Sequence, residues 1–492
     1  MRKITRKALA LLAVLCLLLS ISGAIVFADD PVTVNSGETM TVNENLEANI
    51  TVKEDATLNI TDEVTVTGNV INSGETNNNG EIDGRVANRD SGIVINNGDI
   101  EAPAAVANSG NFTNTSDGTI EGTIQNINDG TFTNNGTITP YESENGTATS
   151  PISNQGIFTN TEDGNITSNI INTGTVINNG TISAPITTIT ITDSNNNEYE
   201  ATNASATIIN HDTCNNTESG IINGRISNTE NGTFINDGTI VAQQLHNVRI
   251  DQDNDNVTES DRTTKITNTG TFTNNEGAAI ESSFNNNGGV FTNNGTLTGD
   301  IITCSDGKVI NNGDIKDASG VEETGQGIIE NNGLIETMHV SNRDEATLIN
   351  NGTITIIEKQ VPIAETTEIE TKSGIIQNVS VIQNQENGTI NGNILNTQQT
   401  VASEDESTTN ITGDFINNGT INGNVSNRDG ANFENNYQIN AELIYNNGGS
   451  TFENNGKIAA TTEVVNGLAN SQDDVFIDHR TITLDAETFT EM

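Results

Sequence analysis

The sequence predicts an all-β protein: a single-stranded parallel β-helix, or β-solenoid, of about 18 residues per coil with insertions at its corners. Three observations point there. One phrase keeps returning: residues 130–139 read GTFTNNGTIT, and near copies stand at 232–240, 290–297, 347–354 and 414–421. Within each phrase an apolar residue and an Asn lie two apart, which is the strand period, and the helical spacing of three and four is missing. Finally, only 32% of the 492 residues are apolar and 3% aromatic, too few for a thick globular core.

The elements follow in chain order. Residues 1–28 read as a secretory signal peptide. Arg2, Lys3, Arg6 and Lys7 supply the basic start, Ala8 to Leu19 the apolar run, and Val26, Phe27 and Ala28 a small-residue cleavage site. An uncleaved anchor is the alternative, since Ala8 to Phe27 is about long enough to span a bilayer. Ser20, Ser22 and Gly23 favour cleavage. Residues 29–74 alternate apolar and polar without the full repeat and read as an amino-terminal cap. Residues 75–458 are the Asn/Gly-rich repeat body, about fifteen coils by the template. Residues 459–492 depart from it and read as a carboxy-terminal cap or tail.

One full unit shows the physics. From Ile120 the pattern runs Gly122, Ile124, Asn126, Gly130, Phe132, Asn134, Gly136 and Ile138. Ile124 with Asn126, and Phe132 with Asn134, share a strand face, so each Asn is expected to point inward beside its apolar neighbour. A lone buried Asn is costly. In a stack of coils about 4.8 Å apart its amide donates to one neighbour and accepts from the other. Asn is also expected at tight corners, because it tolerates the left-handed backbone, with Gly permitting the turn. Nine of the 13 Phe occupy the template position and are expected in the core: Phe112, Phe132, Phe158, Phe234, Phe272, Phe291, Phe415, Phe433 and Phe452. Right-handed winding is expected from the general rule for parallel crossovers.

The units [FI]-x-N-[ND]-G-x-I, such as 132–138 and 234–240, resemble the parallel β-helix passenger regions of bacterial surface adhesins. More broadly the chain resembles the pectin-lyase-like β-helix superfamily, over roughly residues 30–458. The resemblance implies a secreted or cell-surface, non-catalytic rod that presents acidic loops. It also implies a glycan or protein ligand on a host or neighbouring cell. A carbohydrate-active β-helix enzyme, lyase or hydrolase, is the alternative, and an ice-binding solenoid with Thr ranks is a minor one.

Charge narrows the partners. The net charge is −47, more negative still without the four basic residues of the signal. Such a surface repels nucleic acid and anionic lipid and attracts divalent cations. No second apolar run of spanning length follows the signal, and the mature chain is expected to be a monomer. Six insertions interrupt the body, near 139–151, 187–207, 241–265, 316–325, 355–374 and 397–410. Loops held on a rigid scaffold are where binding usually resides.

The search for chemistry gives no catalytic candidate. The repeat places no recurrent Asp or Glu inward, the four His share no ligand spacing, and neither a nucleophile elbow nor a phosphate-binding Gly loop is visible. Cys214 and Cys304 fall several coils apart, too far to bond. One metal candidate stands out. Residues 251–261, DQDNDNVTESD, carry Asp251, Asp253 and Asp255 at alternate positions. That spacing converges carboxylates on calcium in a tight loop, with Asn256 at the sharp-turn position. Position twelve is Arg262 rather than Glu, and a solvated hairpin tip is the competing reading.

Overall fold

The computed structural model describes residues 31–141, 151–192, 197–251, 256–362, 369–372, 374–402, 408–466 and 475–478. Among these, every regular element is a β-strand. Each coil is a triangle of three short strands. In one coil the first side is Thr119–Glu121, the second Ile124–Asn126 and the third Thr131–Asn134. Every side pairs in parallel with the same side of the next coil. Thus Ile120 meets Ile138, Ile124 meets Ile152, and Phe132 meets Phe158. The chain is a parallel β-solenoid, as the repeat requires.

The third sides form one ladder of twenty strands, from Thr39–Val42 to Val475–Asp478. The first and second sides merge into a 37-stranded sheet, because Gln438–Asn446 and Lys457–Asn466 run through the corner between them. Pairing starts at Val32, which meets Ile50. Twenty coils at about 4.8 Å give a rod roughly 90 Å long; seventeen of the third sides fall within residues 75–458, where about fifteen coils were expected.

The core repeats with the coil. The nine template Phe are fully buried. Phe112, Phe132 and Phe158 stack nearly parallel, with centroids 4.7 and 4.9 Å apart. Phe415, Phe433 and Phe452 do the same at 4.8 Å. The coil spacing imposes this geometry, and each buried ring contributes about 1.5–3 kcal/mol by burial. Phe284, on a second side, packs face to face against Phe291 at 3.8 Å. Cys214 fills the Phe position of its coil between Val176 and Phe234. Both Cys214 and Cys304 are free thiols, and burial pushes the Cys214 thiol far up.

Inside, Asn residues at the ends of the second and third sides hydrogen-bond from coil to coil. Asn114 Nδ2 donates to Asn134 Oδ1, and Asn134 Nδ2 donates to Asn160 Oδ1, both at 2.8 Å. Each amide also closes its own turn: Asn134 Nδ2 reaches Gly136 O at 3.0 Å, and Asn126 Nδ2 reaches Gly130 O at 2.9 Å. The third-side ladder runs without a break from Asn78 to Asn454, and all of its Asn are buried.

Three expectations need correction. The ladder Asn are not the left-handed corner residues; among the described non-glycine residues that backbone is taken mostly by Asp, at Asp55, Asp90, Asp317, Asp344 and Asp429, with Asn128 the single Asn. The Asn are selected for the amide alone. The repeat Gly are of two kinds: Gly122 takes a positive φ of 140°, whereas Gly136 has no positive φ and answers crowding, since a Cβ there would lie 2.2 Å from Gly118 O. Finally, 316–325 is no insertion. Asp314–Ala318 and Val321–Glu323 are first and second sides paired to both neighbours, with a register shift between Ile315 and Ala318.

Replacing Asn134 by Leu removes the coil-to-coil acceptor of Asn114 Nδ2 and leaves Asn160 Oδ1 without its donor. It should cost about 1–3 kcal/mol in urea denaturation, against under about 0.5 for Thr133→Ala on the outer face of the same strand. Equal costs would refute the inward ladder.

Candidate binding surface

Strand alternation sends every second residue of the third side outward. From Ile93 and Ile95 to Val290 and Thr292 these outward residues are only Ile, Val, Thr and Asn. Ile93, Ile157 and Val290 are exposed. The band spans nine coils, roughly 40 Å, on a chain of net charge −47. Glu75 bounds it on one end and Lys308 on the other, where Lys308 pairs with Glu330 at 3.4 Å. β-Branched residues suit a flat pleated face. Thr occupies both outward positions only at Thr131 with Thr133 and Thr271 with Thr273, so regular double Thr ranks do not form.

The acids lie elsewhere. On the first side Glu81, Asp83, Asp99, Glu101 and Glu121 stack over three coils. The Glu101 carboxyl is raised, first by its partial desolvation and then by Glu121, Asp83, Glu81 and Asp99. That end of the first side repels anions.

Among the described residues four antiparallel hairpins leave the solenoid. Ile186–Thr192 pairs with Glu198–Ala204, Gln244–Asp251 with Asn256–Thr263, Lys359–Pro362 with Ile369–Lys372, and Gln398–Ala402 with Thr408–Thr412. The first three depart between a first and a second side, and so does the 139–151 segment, of which 142–150 lie outside the described residues. The fourth leaves between a second and a third side. Insertions at one register project from one edge.

Two hairpins, rooted two coils apart, pack against each other. Gln243 Nε2 reaches Ala184 O at 3.0 Å, and His246 N donates to Thr202 Oγ1 at 2.6 Å. Ala201 and Leu245 are buried at their junction. The coil between them makes room with Gly224, at φ 128°. A Cβ there would lie 2.2 Å from Thr207 Oγ1 and 2.7 Å from Gln243 Oε1. Glycine is thus what lets Gln243 bridge. The result is a fin whose outer strand, Ile186–Thr192, is almost wholly exposed and uncharged.

The calcium candidate sits at the tip of the second hairpin. Asp251 ends the outgoing strand and pairs with Asn256, which opens the return strand. Asp253 and Asp255 lie outside the described residues. Among the described residues no three His, Cys, Asp or Glu side chains gather as a metal site. His211 is exposed, with its Nδ1 3.0 Å from Thr229 Oγ1, and partial desolvation lowers its pKa. Among the described residues no helix is long and apolar enough to cross a membrane. No protein-family model matches the chain, and no curated protein matches it.

Sequence reasoning singled out the insertions but missed the uncharged band. Its signal was present: from Ile93 to Thr292 the outward positions flanking the inward apolar residue of each third side carry no acid over nine coils.

Leu245→Ala should remove about 2 kcal/mol of packing from the fin. Limited proteolysis should then cut within 186–204 or 244–263 faster than in the parent, with the main thermal transition unchanged. A shifted main transition would mean that the fin is part of the solenoid core.

Proposed function

We propose that the protein is an extracellular binding rod of the adhesin type. The coils form a rigid non-catalytic support, and ligand is held by the uncharged band of the third side together with the fin. The observation that carries this reading is the band itself. A chain with 66 acids keeps nine consecutive outward strands free of charge. The first side of the same rod carries stacked outward acids, so folding does not forbid them, and their exclusion here points to a surface that must shed water against a neutral partner. The hydroxyl and methyl groups of Thr suit a neutral glycan or an uncharged protein face on a host or neighbouring cell. The acids at the corners and on the first side keep the rod soluble and hold off anionic surfaces. Secretion is supported by the signal pattern of 1–28.

The test uses the purified protein on a panel of neutral glycans and on intact cells. Ile157→Lys with Thr233→Lys should lower binding at least tenfold and leave the melting temperature in place. Undiminished binding would remove the band from the site. Turnover of a uronic-acid polysaccharide would replace the rod by a lyase or hydrolase.

A further inference from the structure

The second-side ladder is interrupted at one place. It runs from Asn72 to Asn286 and again from Asn342 to Asn446. Between them the strand register sets Thr303 on Asn286, Glu323 on Thr303, and Asn342 on Glu323. Glu323 therefore stands in an Asn position, and it is 0% exposed. Thr303 Oγ1, both carboxyl oxygens of Glu323 and Asn342 Oδ1 are buried without a hydrogen-bond partner.

The ladder has a direction. Each Asn Nδ2 donates to the Oδ1 of the following coil, as Asn268 does to Asn286 and Asn342 to Asn378, at 2.8 Å in both cases. Asn342 Oδ1 thus waits for a donor from Glu323. An ionised carboxylate has none and would face another acceptor. No counter-charge faces the carboxyl: Arg343, whose backbone N–H donates to Glu323 O, turns its Nε to Ser341 Oγ, a position that alternates with the inward Val340 and Asn342. On the flanking strands the titratable side chains are Cys304 and His339, both at partly exposed positions. Glu322, beside it on its own strand, alternates outward. Across the core, Lys308 and Glu330 pair with each other at the surface. The inward neighbours are Val321, Val340, Val309 and Ile329, all apolar.

We propose that Glu323 is a proton-binding site, and that its proton is the missing rung of the ladder. A neutral carboxyl is nearly the shape of an amide, with an O–H where Asn carries an N–H. The Thr303 hydroxyl donates to one Glu323 oxygen, and the Glu323 hydroxyl donates to Asn342 Oδ1. Donors and acceptors then balance along the direction the other rungs follow. Burial accordingly holds the Glu323 carboxyl well above the usual carboxylate range.

The linkage has a definite sign. Below the ordinary Glu value near about 4.3, folded and unfolded chains both keep this proton, and Glu323 imposes no penalty. Above it the unfolded chain releases the proton and the folded chain keeps it, so stability falls as pH rises, until the raised folded value is reached. The rod is therefore weakened at one known coil by alkalinity and tightened by acid.

Thermal melts of the protein and of Glu323→Gln, from about pH 4 to about pH 8, isolate this group, because every other carboxylate is common to both. The Gln variant should match the parent at the acid end and become the more stable one as pH climbs. Infrared spectra at neutral pH give a second readout that does not depend on the melt: a protonated-carboxyl C=O band in the parent, absent from Glu323→Gln. A difference between the two proteins that is flat across pH, or no such band at neutral pH, would overturn the proposal. So would a parent that gains on the variant as pH rises, in particular one whose gain needs added sodium or calcium, since that is an ionised Glu323 held by a cation.

Discussion

The structure depends on one interaction: an Asn amide that gives a hydrogen bond to the coil above and takes one from the coil below. A coil of this size has no interior of its own. Its few apolar residues become a core only when coils stack, and stacking buries polar groups at every corner. The Asn ladder satisfies those groups by repetition. Asn134 Nδ2 serves both Asn160 Oδ1 and Gly136 O, so one side chain fixes the register between coils and closes the turn within its own. Each neutral bond contributes only about 0.5–1.5 kcal/mol net. The effect comes from number and from the cost of any orphan. This explains how a chain that is 32% apolar forms a rod of twenty coils.

Much of the fold was legible because the period was. Two-residue spacing of Ile124 with Asn126, recurring at each coil, identifies both the strand and its inward face. The illegible parts have physical reasons. The corner role assigned to Asn confused two properties of one side chain; the structure separates them, giving the ladder to Asn and the left-handed backbone to Gly and, among other residues, mainly to Asp90 and its equivalents. The segment 316–325 looked like an insertion because Val321 and Glu323 replace Ile and Asn, although spacing alone keeps them in register. The fin was invisible because it depends on a contact between residues far apart in sequence, Gln243 and Ala184. The metal candidate Asp251, Asp253 and Asp255 was read from spacing, and only the strand position of Asp251 is described.

The same repetition separates structure from interaction. Inward positions are fixed by the ladder and the Phe stacks, so they cannot vary to suit a ligand. Outward positions and corner insertions are free of that constraint. The uncharged band uses the first freedom, and the hairpins at the first-to-second corner use the second. Charge is crowded onto the remaining surface, as at Glu101 beside Glu121 and Asp83. Glu323 is the exception that shows the rule: an acid in the interior must bring its own proton to take the place of an amide.

The central claim is that interior Asn amides hold the coils together, and hydrogen exchange of the Asn side-chain NH₂ groups tests it most directly. In ¹⁵N-Asn-labelled protein observed by NMR, two classes should appear. Ladder amides such as Asn114, Asn134 and Asn236 should exchange as slowly as the backbone of their strands, while exposed ones such as Asn111 and Asn165 exchange at the rate of free amides. A single class, all exchanging fast, would contradict the account.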